Sequence, residues 1–144
     1  MFQNILLAVD GSPHALRAAQ VAAGLARKFG ADLRVITAFD PVPPYLGEPN
    51  LQHAISARMK EAEAVLHMAL QAVGSIPGEL RSDLLEGPAA EAILAVARTR
   101  QNDLIIIGAR GLGTLDMLLG SQSQKVLSHA SCPVLVVRCA APTR

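Results

Sequence analysis

The sequence has no tryptophan, and aromatic residues make up only 3% of it. Stacking platforms for single-stranded nucleic acid are therefore missing. The core has to be built from Ala, Leu, Val and Ile, a composition suited to a parallel sheet covered by helices. An excess of one charge is missing too: 13 Lys and Arg stand against 12 Asp and Glu, a net charge of +1. Nothing electrostatic calls for nucleic acid or a membrane surface. No apolar run approaches the roughly 20 residues of a membrane span. The N-terminus, MFQNILLAVDGS, lacks the basic region and long apolar segment of a signal peptide. These absences point to a cytoplasmic chain.

Reactive groups are equally scarce. Cys132 and Cys139 have no metal-ligand spacing and read as free, mostly buried thiols on or beside one apolar run, facing opposite sides of it. His14, His53, His67 and His129 have no Cys or Ser at a recognisable catalytic spacing. Ser12 lacks the Gly-x-Ser-x-Gly setting of a nucleophile elbow, and no paired carboxylates mark an acid–base site. No catalytic constellation emerges, and no metal site.

What is present is an alternation of apolar runs and helix-period segments in a chain of 144 residues, one domain's worth. Ile5–Val9 reads as a buried strand ended by Asp10–Gly11. Ser12 can cap the next helix, Pro13 suits its first turn, and Ala15, Ala18, Ala19, Ala22, Ala23 and Leu25 form its apolar face before Gly30 closes it. Leu33–Phe39 is the second strand, and the prolines of Asp40–Asn50 make an irregular loop. A longer helix runs from Leu51 to Val73, with Ile55, Met59, Ala62, Leu66 and Leu70 as its face. Glu79–Leu85, with Arg81 and Asp83, looks like an edge strand. Pro88 starts a third helix, Leu104–Ile107 is the fourth strand, Gly120–His129 the fourth helix, and Pro133–Arg138 the fifth strand. The expectation is an α/β domain, 1–144: a doubly wound, Rossmann-like, five-stranded parallel sheet with helices on both faces.

In such sheets ligands bind beyond the carboxyl ends of the strands, where strand order reverses. Asp10–Ser12, Ala38–Asp40, Gly87, Gly108–Gly120 and the C-terminal tail qualify by position. If the first strand neighbours the fourth, Asp10 and Gly108 flank one crevice. The fourth strand empties into Gly108, Gly111 and Gly113, and Gly120–Ser121 opens the next helix. Glycines let backbone N–H groups approach an anion, and a helix N-terminus adds unpaired donors and a favourable dipole. This is neither the dinucleotide fingerprint nor a P-loop. Arg110 is the only cation inside the loop, and Lys125 lies one turn into the helix. Asp10 has two readings, a ribose or metal ligand or an acceptor for the turn amide of Ser12. Ser121 has two as well, a phosphate ligand or one half of a capping box with Gln124.

Taken together, Ile5-Leu-Leu-Ala-Val-Asp-Gly-Ser12, Gly108-Ala-Arg-Gly111 followed by Gly120-Ser121, and Cys132-Pro-Val-Leu-Val-Val-Arg138 resemble the universal stress protein family. The resemblance spans essentially the whole chain. It implies strand order 3-2-1-4-5 and homodimers formed through the last strand, Pro133–Arg138. It implies ATP as ligand, with Mg2+ or Mn2+, where present, held by the phosphates. Ala8 and Val9 would lead into Asp10, near the ribose and adenine, and the backbone around Ala38 would read the adenine edge. Gly108, Arg110 and Gly111 would border ribose and phosphates, and Gly120, Ser121 and Gln122 would hold the phosphates. The spacer Leu112–Leu119, eight residues, is one shorter than the family's, and Gln122 stands where an apolar residue is usual. The implied function is a regulatory or protective ATP-binding stress-response protein, not an enzyme beyond slow ATP hydrolysis. The alternative is a dimeric interaction module of the same fold that binds no nucleotide.

Overall fold

A computed structural model describes residues 1–109 and 121–139. The elements follow in the order β1 (Asn4–Ala8), α1 (Pro13–Phe29), β2 (Asp32–Phe39), a 3-10 turn (Pro44–Leu46), α2 (Asn50–Val73), β3 (Leu80–Glu86), α3 (Ala89–Thr99), β4 (Leu104–Gly108), α4 (Ser121–His129) and β5 (Val134–Val137). The strands form one parallel sheet in the order β3-β2-β1-β4-β5, with Ala8 beside Ile36 on one side and Ile107 on the other. This is the expected doubly wound architecture. Every expected element is present, with bounds shifted by a residue or two at the ends, where ladders and helix turns fray.

The alternation of side chains along each strand sorts the core into two layers. Ile5, Leu7, Leu33, Val35, Leu104 and Ile106 face α1 and α2. Leu6, Ile36, Ile105 and Ile107 face α3 and α4, against Ala90, Ile93 and Val126. Residues buried on both sides of a sheet have to be apolar in an unbroken run, which is why these strands do not alternate with polar residues. Right-handed crossovers then dictate the rest: two steps outward from β1 put α1 and α2 on one face, and the return past β1 to β4 puts α3 and α4 on the other. Strand order therefore reverses between β1 and β4.

Helix α1 begins as its sequence requires. Ser12 is extended (φ −73°, ψ 160°), and its Oγ accepts the Ala15 N–H at 3.2 Å. Six alanines, Ala15, Ala18, Ala19, Ala22, Ala23 and Ala26, are its buried residues, so its axis lies close to the sheet. Arg27 reaches from its last turn to the end of α2, where Nη2 donates to the Val73 carbonyl at 2.6 Å and Nε to the Ser75 carbonyl at 3.0 Å.

Two expectations are corrected. The buried residues of α2 are Ala62, Leu66, Ala69 and Val73, while Met59 is exposed and Ile55 only half-buried. The first half of α2 stands beyond the strand ends and walls a cleft, so it has no sheet beneath it to bury Met59. The cysteines are free and lie beside β5, but each is half-buried where a mostly buried thiol was expected. Burial pushes the Cys132 thiol up, and the nearby Asp103 carboxylate adds to the shift.

Candidate functional site

The reversal between β1 and β4 opens a cleft of about 620 Å³ at the carboxyl ends of the strands. Its floor comes from the ends of β1, β2 and β4, one wall from α2, and the other from the starts of α3 and α4. Seven of the ten residues that the resemblance implies for the nucleotide site meet there: Ala8, Val9, Asp10, Ala38, Gly108, Ser121 and Gln122. Arg110, Gly111 and Gly120 lie outside the described residues, as does the Leu112–Leu119 spacer. Of the C-terminal tail, residues 140–144 lie outside them too.

Asp10 makes the turn expected of it: Oδ1 accepts the Ser12 N–H at 3.0 Å, which starts the cap of α1, and the residue also lines the cleft. The turn reading of Asp10 is thus observed, in a residue that also lines the candidate site. Gly108 has a steric reason to be glycine. A Cβ there would sit 2.7 Å from both the Ala15 nitrogen and the His14 carbonyl carbon, backbone atoms in the first turn of α1. The end of β4 and the start of α1 are pressed together along one side of the cleft.

Ser121 is the first residue of α4, and the reciprocal Ser121–Gln124 bonds of a capping box are not formed among the described residues. Its position leaves first-turn N–H groups of α4 without intrahelical partners beside the cleft. The Gln122 side chain turns to its neighbour instead: Oε1 accepts the Ala90 N–H at 2.8 Å. Pro88, the residue before helix α3, makes no side-chain cap, so Gln122 supplies that cap and ties the two helix starts together.

The strand ends show a further feature. Backbone groups of successive strand residues point alternately to either neighbour. Leu33 N–H bonds the Glu79 carbonyl beside β3, and Gly87 N–H bonds the Phe39 carbonyl at 2.9 Å. The Ile36 carbonyl accepts from Val9 N–H at 3.0 Å on the β1 side. By this parity the Ala38 N–H and C=O point toward β1, which has already ended at Ala8. Among the described residues no backbone group meets either of them. One donor and one acceptor therefore stand side by side at the cleft floor.

Sequence reasoning missed Thr37, Arg58 and Glu61, all of which line the cleft. Thr37 is hidden inside an apolar strand run, and Arg58 and Glu61 read as ordinary polar positions of a helix. Arg58 Nη1 donates to the carbonyls of Asp40 at 2.7 Å and Pro41 at 3.1 Å, so α2 holds the loop that follows β2. None of the four histidines lines the cleft. His14 Nδ1 accepts the Cys139 N–H at 2.8 Å, which fixes the chain after β5 against the start of α1. His53 and His67 are exposed on α2, and His129 bonds the Lys125 carbonyl within α4.

Comparison with known proteins agrees with this architecture. The model of the universal stress protein family matches residues 1–138. A Thermus aquaticus relative, the universal stress protein in the QAH/OAS sulfhydrylase 3' region, is 52% identical over 139 residues, covering 96% of this chain and all of the relative. Among solved structures, the universal stress protein UspA from Lactobacillus plantarum superposes with a TM-score of 0.81 at 28% identity, over 95% of this chain and 98% of that one. A universal stress protein crystallised in complex with cAMP superposes with a TM-score of 0.67 at 27% identity, over 96% and 98% of the two chains.

Proposed function

This chain belongs to the universal stress protein family, and on that premise we propose that it binds an adenine nucleotide, ATP, in the cleft between β1 and β4. The observation that carries the proposal is the free N–H and C=O pair of Ala38 on the cleft floor. The Watson–Crick edge of adenine presents an acceptor, N1, beside a donor, the N6 amino group. A backbone donor and acceptor on one strand side complement that pair, and guanine, with donor and acceptor exchanged, meets them wrongly. Ala38 on β2 and Gly108 on β4 are two strand spacings apart, about 10 Å. That separation lets base and phosphates occupy different ends of one cleft, with the phosphates at the N-terminus of α4 beside Ser121 and the glycine loop. The universal stress protein structure solved with cAMP supports the same ligand class.

Regulatory or protective binding with slow or no hydrolysis belongs to this proposal. No histidine lines the cleft, and the Asp10 carboxylate is already engaged by the Ser12 N–H. Any Mg2+ or Mn2+ is proposed to ride on the phosphates, because no group of three His, Cys, Asp or Glu side chains gathers among the described residues. No described helix is long and apolar enough to cross a membrane, in keeping with a proposed cytoplasmic location.

Isothermal titration of nucleotide-free protein should give saturable ATP binding at sub-millimolar concentration. GTP should bind at least tenfold more weakly, the cost of about one mispaired hydrogen bond. Silence at millimolar ATP removes the proposal and leaves the dimeric interaction module.

The homodimer is proposed to form through β5. The two sheet edges differ in their protection. At β3, Arg81 pairs with Glu79, and Asp83 pairs with Arg34 of the neighbouring strand, charges that discourage further strand pairing. Strand β5 carries Val134, Leu135, Val136 and Val137 with no charge among them, and Leu135 is 36% exposed. Two copies of such an edge complement each other about a two-fold axis. Leu135→Lys should shift the sedimenting species from dimer to monomer at micromolar concentration. A mass unchanged by the substitution argues against this edge.

A further inference from the structure

The adenine-reading pair at Ala38 exists only because a rung of the β1–β2 ladder is missing. Val9 N–H bonds the Ile36 carbonyl at 3.0 Å, the last backbone rung between the two strands. In a parallel ladder the next rung would run from Ala38 N–H to the Val9 carbonyl. It is not made among the described residues. The Val9 carbonyl accepts the Thr37 hydroxyl instead, at 2.7 Å. Thr37 is 3% exposed and Val9 6%, so the bond is sheltered from water.

Resting on the adenine-nucleotide reading above, we infer that Thr37 is a positioning residue that sets base specificity: its hydroxyl occupies the Val9 carbonyl and so keeps Ala38 N–H open for the base. The chemistry is a competition for one buried acceptor. With the hydroxyl in place, the Val9 carbonyl is satisfied and the neighbouring strand need not close over it. Without the hydroxyl, a buried carbonyl is left unpaired, and the donor one ladder step away is Ala38 N–H. The ladder would lengthen by one rung and the donor for adenine N1 would be consumed. A guanine base, which offers N1–H to that same donor, would lose a repulsion by the same change. Thr37 therefore governs discrimination between the bases through the Ala38 backbone.

Thr37→Val is nearly isosteric and removes only the hydroxyl function, while Thr37→Ser keeps it. Amide hydrogen exchange followed by NMR on nucleotide-free protein reads the rung directly. In the native protein Ala38 should exchange at least tenfold faster than Ile36. In Thr37→Val it should slow by about tenfold or more, and in Thr37→Ser it should stay fast. Titration should show ATP affinity about tenfold weaker in Thr37→Val, with the ATP-over-GTP preference falling at least as much, and both restored in Thr37→Ser. A native Ala38 amide as protected as Ile36 overturns the inference, even if Thr37→Val does not fold. So does a folded Thr37→Val protein with an unchanged ATP-over-GTP ratio. Native protein that binds no adenine nucleotide removes the nucleotide reading and this inference together, whereas ATP binding with an unchanged ratio removes only the role of Thr37.

Discussion

Gly108→Ala is expected to cost roughly 3 kcal/mol of stability, at the upper end of what overpacking a close contact costs. The clash is with main chain, since the added Cβ would lie 2.7 Å from the Ala15 nitrogen and the His14 carbonyl carbon. A flexible side chain could swing away; the first turn of a capped helix has to move as a body. That turn carries the Ser12 cap and the Asp10–Ser12 bond, so relief of the clash reshapes the cleft as well. Gly78→Ala provides the matched control. Its Cβ would run into the Ala31 carbonyl oxygen, before β3 and so at the opposite ends of the strands. Urea unfolding should show both variants destabilised, and ATP titration should show weakened binding in Gly108→Ala alone. Equal ATP affinity in the two variants would mean that the β4–α1 contact does not shape the site.

Ile106→Ala is expected to be the costliest truncation in the core, in the upper half of the 2–5 kcal/mol range for such changes. Ile106 is fully buried in β4, on the layer that faces α1. The size of the effect follows from what lies opposite. The fully buried residues of helix α1 are all alanines, so the branched side chains of the strands fill most of the space between the two layers. The buried alanines have no long side chain that could swing into a new cavity, and Val21 and Leu25 are only partly buried at its margin, so the cavity persists. In a domain with about 5–15 kcal/mol of total stability, that is a large share. A urea midpoint lowered with an unchanged denaturant slope is the expected signature. A loss under 2 kcal/mol would show that the layer closes over the gap.

Much of this architecture is legible without coordinates. The alanine face of α1, the Ser12 cap, the apolar runs of β1 and β4 and the charged edge strand β3 are local patterns, and each is found where its spacing puts it. Asp10 and Gly108 are legible as cleft residues because strand order in parallel sheets reverses at strand ends that open a crevice. The first half of α2 is not legible in the same way. Its apolar period continues through Ile55 and Met59, yet the sheet beneath it stops short. Arg58 and Glu61 belong to the cleft for the same reason, although nothing in their spacing separates them from any other exposed helical pair.

The sequence by itself determined an α/β fold of the universal stress protein type, with a candidate site after the first and fourth strands. Those properties are written in periodicity, capping and glycine placement, which act over a few residues. Only the tertiary structure decided which backbone groups are left over when the strands have paired. The Ala38 pair is open because β1 ends at Ala8 and the Thr37 hydroxyl holds the Val9 carbonyl. Gln122 caps α3 because two helix starts that lie 32 residues apart in sequence meet at one wall. Hydrogen-bond partners are allotted by register and by the lengths of neighbouring strands, quantities that no single segment of the chain contains.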